Sequence, residues 1–130
     1  MSIIKFTYSG SKEAIINGTK TSTLRDWKER HAKQFHKGDI VHAWDGHPLL
    51  GGKCFALIRV TRDPYEFMLK HLDRDKLTRE GHPDMTAREF IDAYFPKTPI
   101  EKPLTCLEFE AVAKFVSAVG EKLEMPLQIP

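Results

Sequence analysis

The chain has 130 residues, a net charge of +2, 41% hydrophobic and 29% charged residues. That is enough for one domain, spanning 1–130, whose core needs no disulfide or metal to hold it together. The longest apolar runs, such as Cys54-Phe55-Ala56-Leu57-Ile58, are too short to cross a bilayer. The start, Met1-Ser2-Ile3-Ile4-Lys5-Phe6, lacks the features of a signal peptide. The expectation is a cytosolic protein with no membrane partner, whose two cysteines stay reduced as small buried thiols.

In chain order, Ile3 to Tyr8 alternates as a first strand. Ser9 or Ser11 caps a short helix through Ile16, closed by Asn17-Gly18. Thr21 to Arg25 reads as a second strand, since β-branched threonines favour extended backbone. Asp26 to Phe35 is polar and open to a helix. Lys37-Gly38-Asp39 signals a turn into a strand at Ile40–Trp44, followed by a loop from Asp45 to Gly52. Lys53 to Arg62 is a long strand whose apolar middle predicts burial on both faces. Asp63-Pro64-Tyr65-Glu66 is like a capping box, and Tyr65, Met68, Leu69 and Leu72 recur at helical spacing, so a helix is predicted through Leu72. A second short helix from Asp73 ends near Glu80-Gly81, and Thr86-Ala87-Arg88-Glu89 caps a third that stops at Pro96. Leu104 to Val112 returns to strand periodicity, while Val116 to Leu123 is open to a strand or a short helix. Five or six strands, mostly antiparallel, with helices inserted between them predict an α+β protein built on a small mixed β-barrel. A doubly wound fold is disfavoured, because no strand–glycine loop–helix signature occurs.

One stretch is dense in chemistry: Gly18-Thr19-Lys20-Thr21-Ser22-Thr23-Leu24-Arg25. A turn glycine, an amine, several hydroxyls and a guanidinium within eight residues exceed what an inner strand needs for folding. Downstream, Lys28, Arg30, Lys33 and Lys37 extend a basic patch that suits a phosphate, a nucleotide or RNA, and equally suits a solvated helix face. Phe6, Tyr8 and Trp44 are candidates to stack a base or to fill a core. The six histidines form no His-x-His or His-x-x-x-His pair and the cysteines are isolated, so neither a metal nor a cofactor is expected.

The order of landmarks is distinctive: a helix, Gly-x-Lys-x-x-x-x-Arg, Gly-Asp before a strand, a long strand, Glu-Gly in a helical insert, and a closing strand with Leu-Glu-Phe. It resembles the ASCH domains, a branch of the PUA-like β-barrel superfamily, over about Ile3 to Glu110, with 111–130 as a C-terminal extension. Where the common motif is Gly-x-Lys-x-x-Glu-x-Arg, this chain has Thr23 in place of the glutamate. In that respect Gly18 to Asp26 is similar to the small bacterial ASCH enzymes that remove the acyl group from N4-acetylcytidine. The resemblance implies a metal-free amidohydrolase acting on an acylated cytosine nucleoside, with Lys20, Thr23 and Glu80 as catalytic residues and Arg25 as a substrate-binding residue. The alternative it implies is an RNA-binding ASCH module, with or without ribonuclease activity. The Thr23 replacement favours the enzyme, and the basic segment 27–37 favours RNA. The oligomeric state stays open.

Hydrolysis of an N-acyl amide needs a nucleophile, a base, charge stabilisation and an acid for the leaving amine. Thr23 can attack directly or position a water. Lys20 can be the base if burial or Arg25 lowers its pKa, and otherwise it stabilises the oxyanion. Glu80 can protonate the departing nitrogen. There is one geometric condition. On a regular strand Thr21, Thr23 and Arg25 share a face and Lys20 points away, so Lys20 must sit at the turn, before the pleat begins.

Overall fold

A fifteen-residue strand, β6 (Leu104–Ala118), is the spine of the molecule. The computed structural model describes residues 2–118 and 121–126, with side chains through 115. One edge of β6 pairs with β4 (Cys54–Val60) and then with β5 (Tyr65–Phe67); the other pairs with β2 (Ser22–Arg25) and β7 (Glu121–Pro126). Beyond β4 lie β3 (Ile40–Trp44) and β1 (Ile3–Lys5), the latter parallel to β3, whereas the other described pairs are antiparallel. Register shifts at Ala43/Trp44 and Leu57/Ile58 add local twist, and the mixed sheet curls into the half-barrel of an α+β, PUA-like fold. The tail, open between two readings, is a strand where it is described. No described helix is long and apolar enough to cross a membrane.

The helices fill the gaps between strands: α1 (Ser11–Ile16), α2 (Glu29–Ala32), α3 (Arg74–Arg79) and α4 (Ala87–Tyr94). The α4 capping box is complete, with Glu89 N–H donating to Thr86 Oγ1 and Thr86 N–H to Glu89 Oε1. Asp73 caps α3 by accepting from Lys76 N–H. The α1 N-cap, however, is Gly10 and not a serine.

One further expectation is corrected. Residues 63–72 do not form a helix: Tyr65–Phe67 is β5, and only Leu69–His71 makes a single 3-10 turn. Asp63 does not cap its own segment, because its carboxylate accepts the N–H of Lys37. Tyr65 and Phe67 share one strand face and pack on the apolar cluster beneath, so sheet pairing with Cys106 and Leu104 outweighs the helical spacing. In β4, the expected burial on both faces holds in the apolar middle, where adjacent Phe55 and Ala56 are both buried; farther along, Ile58 and Val60 turn inward while Arg59 reaches solvent and donates to Glu110 at 3.0 Å across the ladder.

Two apolar clusters result. The first lies under β1, β3 and β4 around Phe6, Phe55, Ile58 and Phe109. The second, under the helical insert, joins Leu24, Leu69, Leu77, Phe90, Leu104 and Cys106. The strand β6 serves both, and β2 runs beside its first half.

Candidate functional site

The backbone of Lys20 is pinned before the pleat of β2 starts. Gly18 turns the chain at a φ of 83°, a value at which a Cβ is strained. Lys20 N–H then donates to Ala14 O at 3.0 Å, and Thr21 N–H to Arg79 O at 2.8 Å. Lys20 and Glu80 form an isolated antiparallel bridge where α3 ends, with Glu80 as the C-cap residue. The geometric condition on Lys20 is therefore met: Lys20, Thr23, Arg25 and Glu80 all line one cavity of about 250 Å³.

Inside it, Lys20 Nζ donates to two backbone carbonyls, Ser22 O at 2.9 Å and Glu80 O at 3.0 Å. Arg25 Nε donates to Thr23 Oγ1 at 3.0 Å, as expected of side chains on one strand face, and Arg25 Nη2 donates to Lys5 O at 2.7 Å. The Arg25 guanidinium also lies over the Phe6 ring, 5.0 Å from its centroid. Both oxygens of the Glu80 carboxylate are engaged. Oε1 accepts from Leu24 N–H at 3.0 Å and faces Lys20 Nζ at 3.9 Å. Oε2 accepts a hydrogen bond from the Ser22 hydroxyl and faces Lys76 Nζ at 3.7 Å.

Burial dominates the electrostatics. Lys20, Lys76 and Glu80 expose 8%, 5% and 2% of their surface. Desolvation lowers the pKa of Lys20, with Arg25 and Lys76 adding to the effect and Glu80 opposing it. Desolvation also pulls down Arg25, although a guanidinium stays charged in proteins, and it pulls down His82, aided by Lys20. The Cys106 thiol is pushed up by burial.

Aromatic rings complete the cavity wall. Tyr8 and Tyr94 meet edge to face at 4.7 Å, and His82 packs on Tyr94 at 5.0 Å. Of the three aromatics considered for stacking, Tyr8 stands half-exposed at the cavity and Phe6 is core that also reaches its wall. Trp44 is not part of the lining. In the basic segment, Trp27 stacks on buried Phe35 at 5.0 Å and 14°, so its aromatic rings turn inward. Lys28, Arg30, Lys33 and Lys37 stay exposed. A second hollow, about 380 Å³, adjoins Trp27, Phe35 and Tyr65 and contains none of the four candidate residues. Among the described residues, no group of three His, Cys, Asp or Glu is arranged to hold a metal ion.

Sequence reasoning missed Ser22 as a partner of Glu80, it missed Lys76 altogether, and it weighed His82 only with the other histidines as a metal ligand. Lys76 precedes Glu80 by four positions, the spacing of side chains that meet along a helix, and that signal was legible. His82 carried no comparable signal.

No family model matches the chain, and no curated protein matches it. Solved structures do. Protein EF3133 of Enterococcus faecalis V583, of the DUF984 family, gives a TM-score of 0.59 at 21% identity, covering 86% of this chain and 80% of its own. The hypothetical protein PH0355 gives 0.62 at 18% identity, covering 86% of this chain and 100% of its own. The ASCH domain from Lactobacillus crispatus JV V101 gives 0.61 at 14% identity, covering 85% and 79% respectively. At such identities the likeness is one of fold, and it agrees with the resemblance carried by the motif: the chain has an ASCH-like fold.

Proposed function

We propose that the protein is a metal-free amidohydrolase that removes the acyl group from N4-acetylcytidine or a related N4-acylated cytosine nucleoside. The observation that carries this reading is the convergence of Lys20, Thr23, Arg25 and Glu80 on one small cavity walled by aromatic rings. Such a hollow suits a planar base with a polar edge.

The hydrogen bonds divide the roles. A neutral amine at Lys20 gives its two hydrogens to Ser22 O and Glu80 O and keeps its lone pair for Thr23. Arg25 Nε–H occupies one lone pair of Thr23 Oγ1, which leaves the hydroxyl hydrogen for the base. Lys20 takes that proton as Oγ1 attacks the acyl carbonyl carbon. Collapse of the tetrahedral adduct breaks the carbon–nitrogen bond, and the Lys20 ammonium returns the proton to the departing N4. Water then enters by the same steps, releasing the acid and restoring Thr23. Both Glu80 oxygens already accept hydrogen bonds, so in this scheme Glu80 holds and balances Lys20 rather than delivering the proton itself. Arg25 binds the substrate from the adjoining wall.

The test is to incubate the pure protein with N4-acetylcytidine and follow the ultraviolet change as cytidine forms. Turnover is expected, and Lys20→Met should lower kcat about 10²–10⁴-fold, the usual contribution of a positioned base. Absence of turnover by the wild type overturns the reading. The exposed run Lys28, Arg30, Lys33 and Lys37 favours a second reading, an RNA-binding module. Salt-sensitive RNA binding without turnover would install it in place of the first.

A further inference from the structure

Lys76 stands behind the cavity, and the scheme above does not use it. It donates to Ser22 Oγ at 3.0 Å, and Ser22 in turn donates to Glu80 Oε2. Its Nζ also lies 2.6 Å from Cys106 Sγ, 5.1 Å from the centre of the Phe67 ring and 5.9 Å from that of Tyr65. Each of these neighbours is an acceptor or an aromatic face, a setting that favours a held cation. Lys20 differs. It lies on the cavity wall, and its two carbonyl partners are satisfied by the two hydrogens of a free amine.

One carboxylate therefore meets two lysines, one on each oxygen, at 3.9 Å and 3.7 Å. Half-buried Arg25 adds a further positive charge. A buried cluster with more cations than anions is relieved when one of them gives up its proton. We propose that Lys76 is a positioning residue, the standing counter-cation of Glu80, which leaves Lys20 to enter the reaction as a free amine. The inference rests on the amidohydrolase reading, and it adds a second lysine that sets the pH range in which the first one works.

The groups facing Lys20 are Glu80 and Lys76 from the α3 end, Arg25 from β2, His82 from the following loop and Cys106 from β6. Burial already lowers the Lys20 pKa, and Lys76 lowers it further. Removing the Lys76 charge makes Lys20 the only lysine on Glu80, so Lys20 should hold its proton to higher pH.

The test compares the wild type with Lys76→Met, Lys76→Gln and Lys76→Arg by two readouts. One is the ascending limb of kcat/KM against pH with N4-acetylcytidine. The other is the NMR titration of the Lys20 ε-methylene, assigned with Lys20→Met, which needs no substrate. In both neutral variants the limb and the Lys20 titration should move to higher pH, while Lys76→Arg should keep them near the wild-type position. An unmoved Lys20 titration in a folded neutral variant overturns the proposal. So does a wild-type Lys20 that titrates with the surface lysines, a result that needs no variant to fold. Absence of turnover with a shifted Lys20 titration would end the amidohydrolase reading and leave the role of Lys76 standing.

Discussion

The two clusters that share β6 use burial in opposite ways. The first, around Phe55, Ile58 and Phe109, contains only apolar side chains, so each inward residue adds to stability. The second closes over Leu24, Leu77 and Phe90, yet Lys20, Lys76 and Glu80 are buried beside it. Buried charges destabilise unless they are paired and hydrogen-bonded, and here a single carboxylate serves two lysines. The contrast shows stability and candidate chemistry drawn from different stretches of one strand. In β6, Phe109 anchors the apolar half, and Cys106 backs the charged one.

The sharpest way to break that division is to damage only the apolar half. Ile58 is fully buried, and Ile58→Ala should lower the unfolding free energy by about 2–5 kcal/mol, through lost burial and the cavity left behind. Urea unfolding gives the loss. Turnover per folded molecule should stay at the wild-type level, and a matching fall in kcat would show that the two regions are not separable.

The apolar half was also the more legible one. Ile40–Trp44 alternates cleanly between inward Val41 and Ala43 and outward His42, and a period of two maps directly onto a sheet with one buried face. The helix starting at Thr86 was readable because its capping signal is local. Residues 63–72 misled for the converse reason. Tyr65 and Phe67 obey a partner some forty positions away, and no local pattern carries that pairing. The site was legible in its first half, where Gly18, Lys20, Thr23 and Arg25 are neighbours in sequence. Glu80 was placed only through the family resemblance; its pairing with Lys76 was open to the four-residue spacing along α3, whereas Ser22 as its partner became visible only when α3 packed against β2.

A smaller effect is expected at the turn that brings the two halves of the site together. Gly81 has a φ of +90°, and a Cβ there would lie 3.1 Å from Lys20 Cβ. Gly81→Ala should cost about 1–2 kcal/mol for the left-handed backbone, and it should push Lys20 from its carbonyl partners. Gly18 has a similar φ of +83° with nothing within 4 Å of its Cβ position. Gly18→Ala should therefore show a comparable drop in Tm with a smaller loss of kcat. Equal losses of kcat in the two variants would show that the contact with Lys20 does not matter.

The smallest effect is a change of slope, and it reports on the charged half alone. Burial lowers the Lys20 pKa from its ordinary 10.5. Between the lowered value and 10.5, the unfolded chain binds a proton at this lysine that the native chain does not. Stability contributed at this position must therefore rise with pH across that window and level off above it. Cys106, whose thiol is pushed up by burial, works in the other direction: the native chain keeps a proton that the unfolded chain releases, so its contribution falls as pH rises past the ordinary thiol range. Lys20→Met removes the first trend and keeps the second. Plotted against pH, the wild-type unfolding free energy minus that of Lys20→Met should climb through the alkaline range, whereas Ile58→Ala should run parallel to the wild type. A flat difference for Lys20→Met would mean that Lys20 carries its proton in the folded protein as readily as in the unfolded one, and the charged region would then lose its distinction from the apolar one.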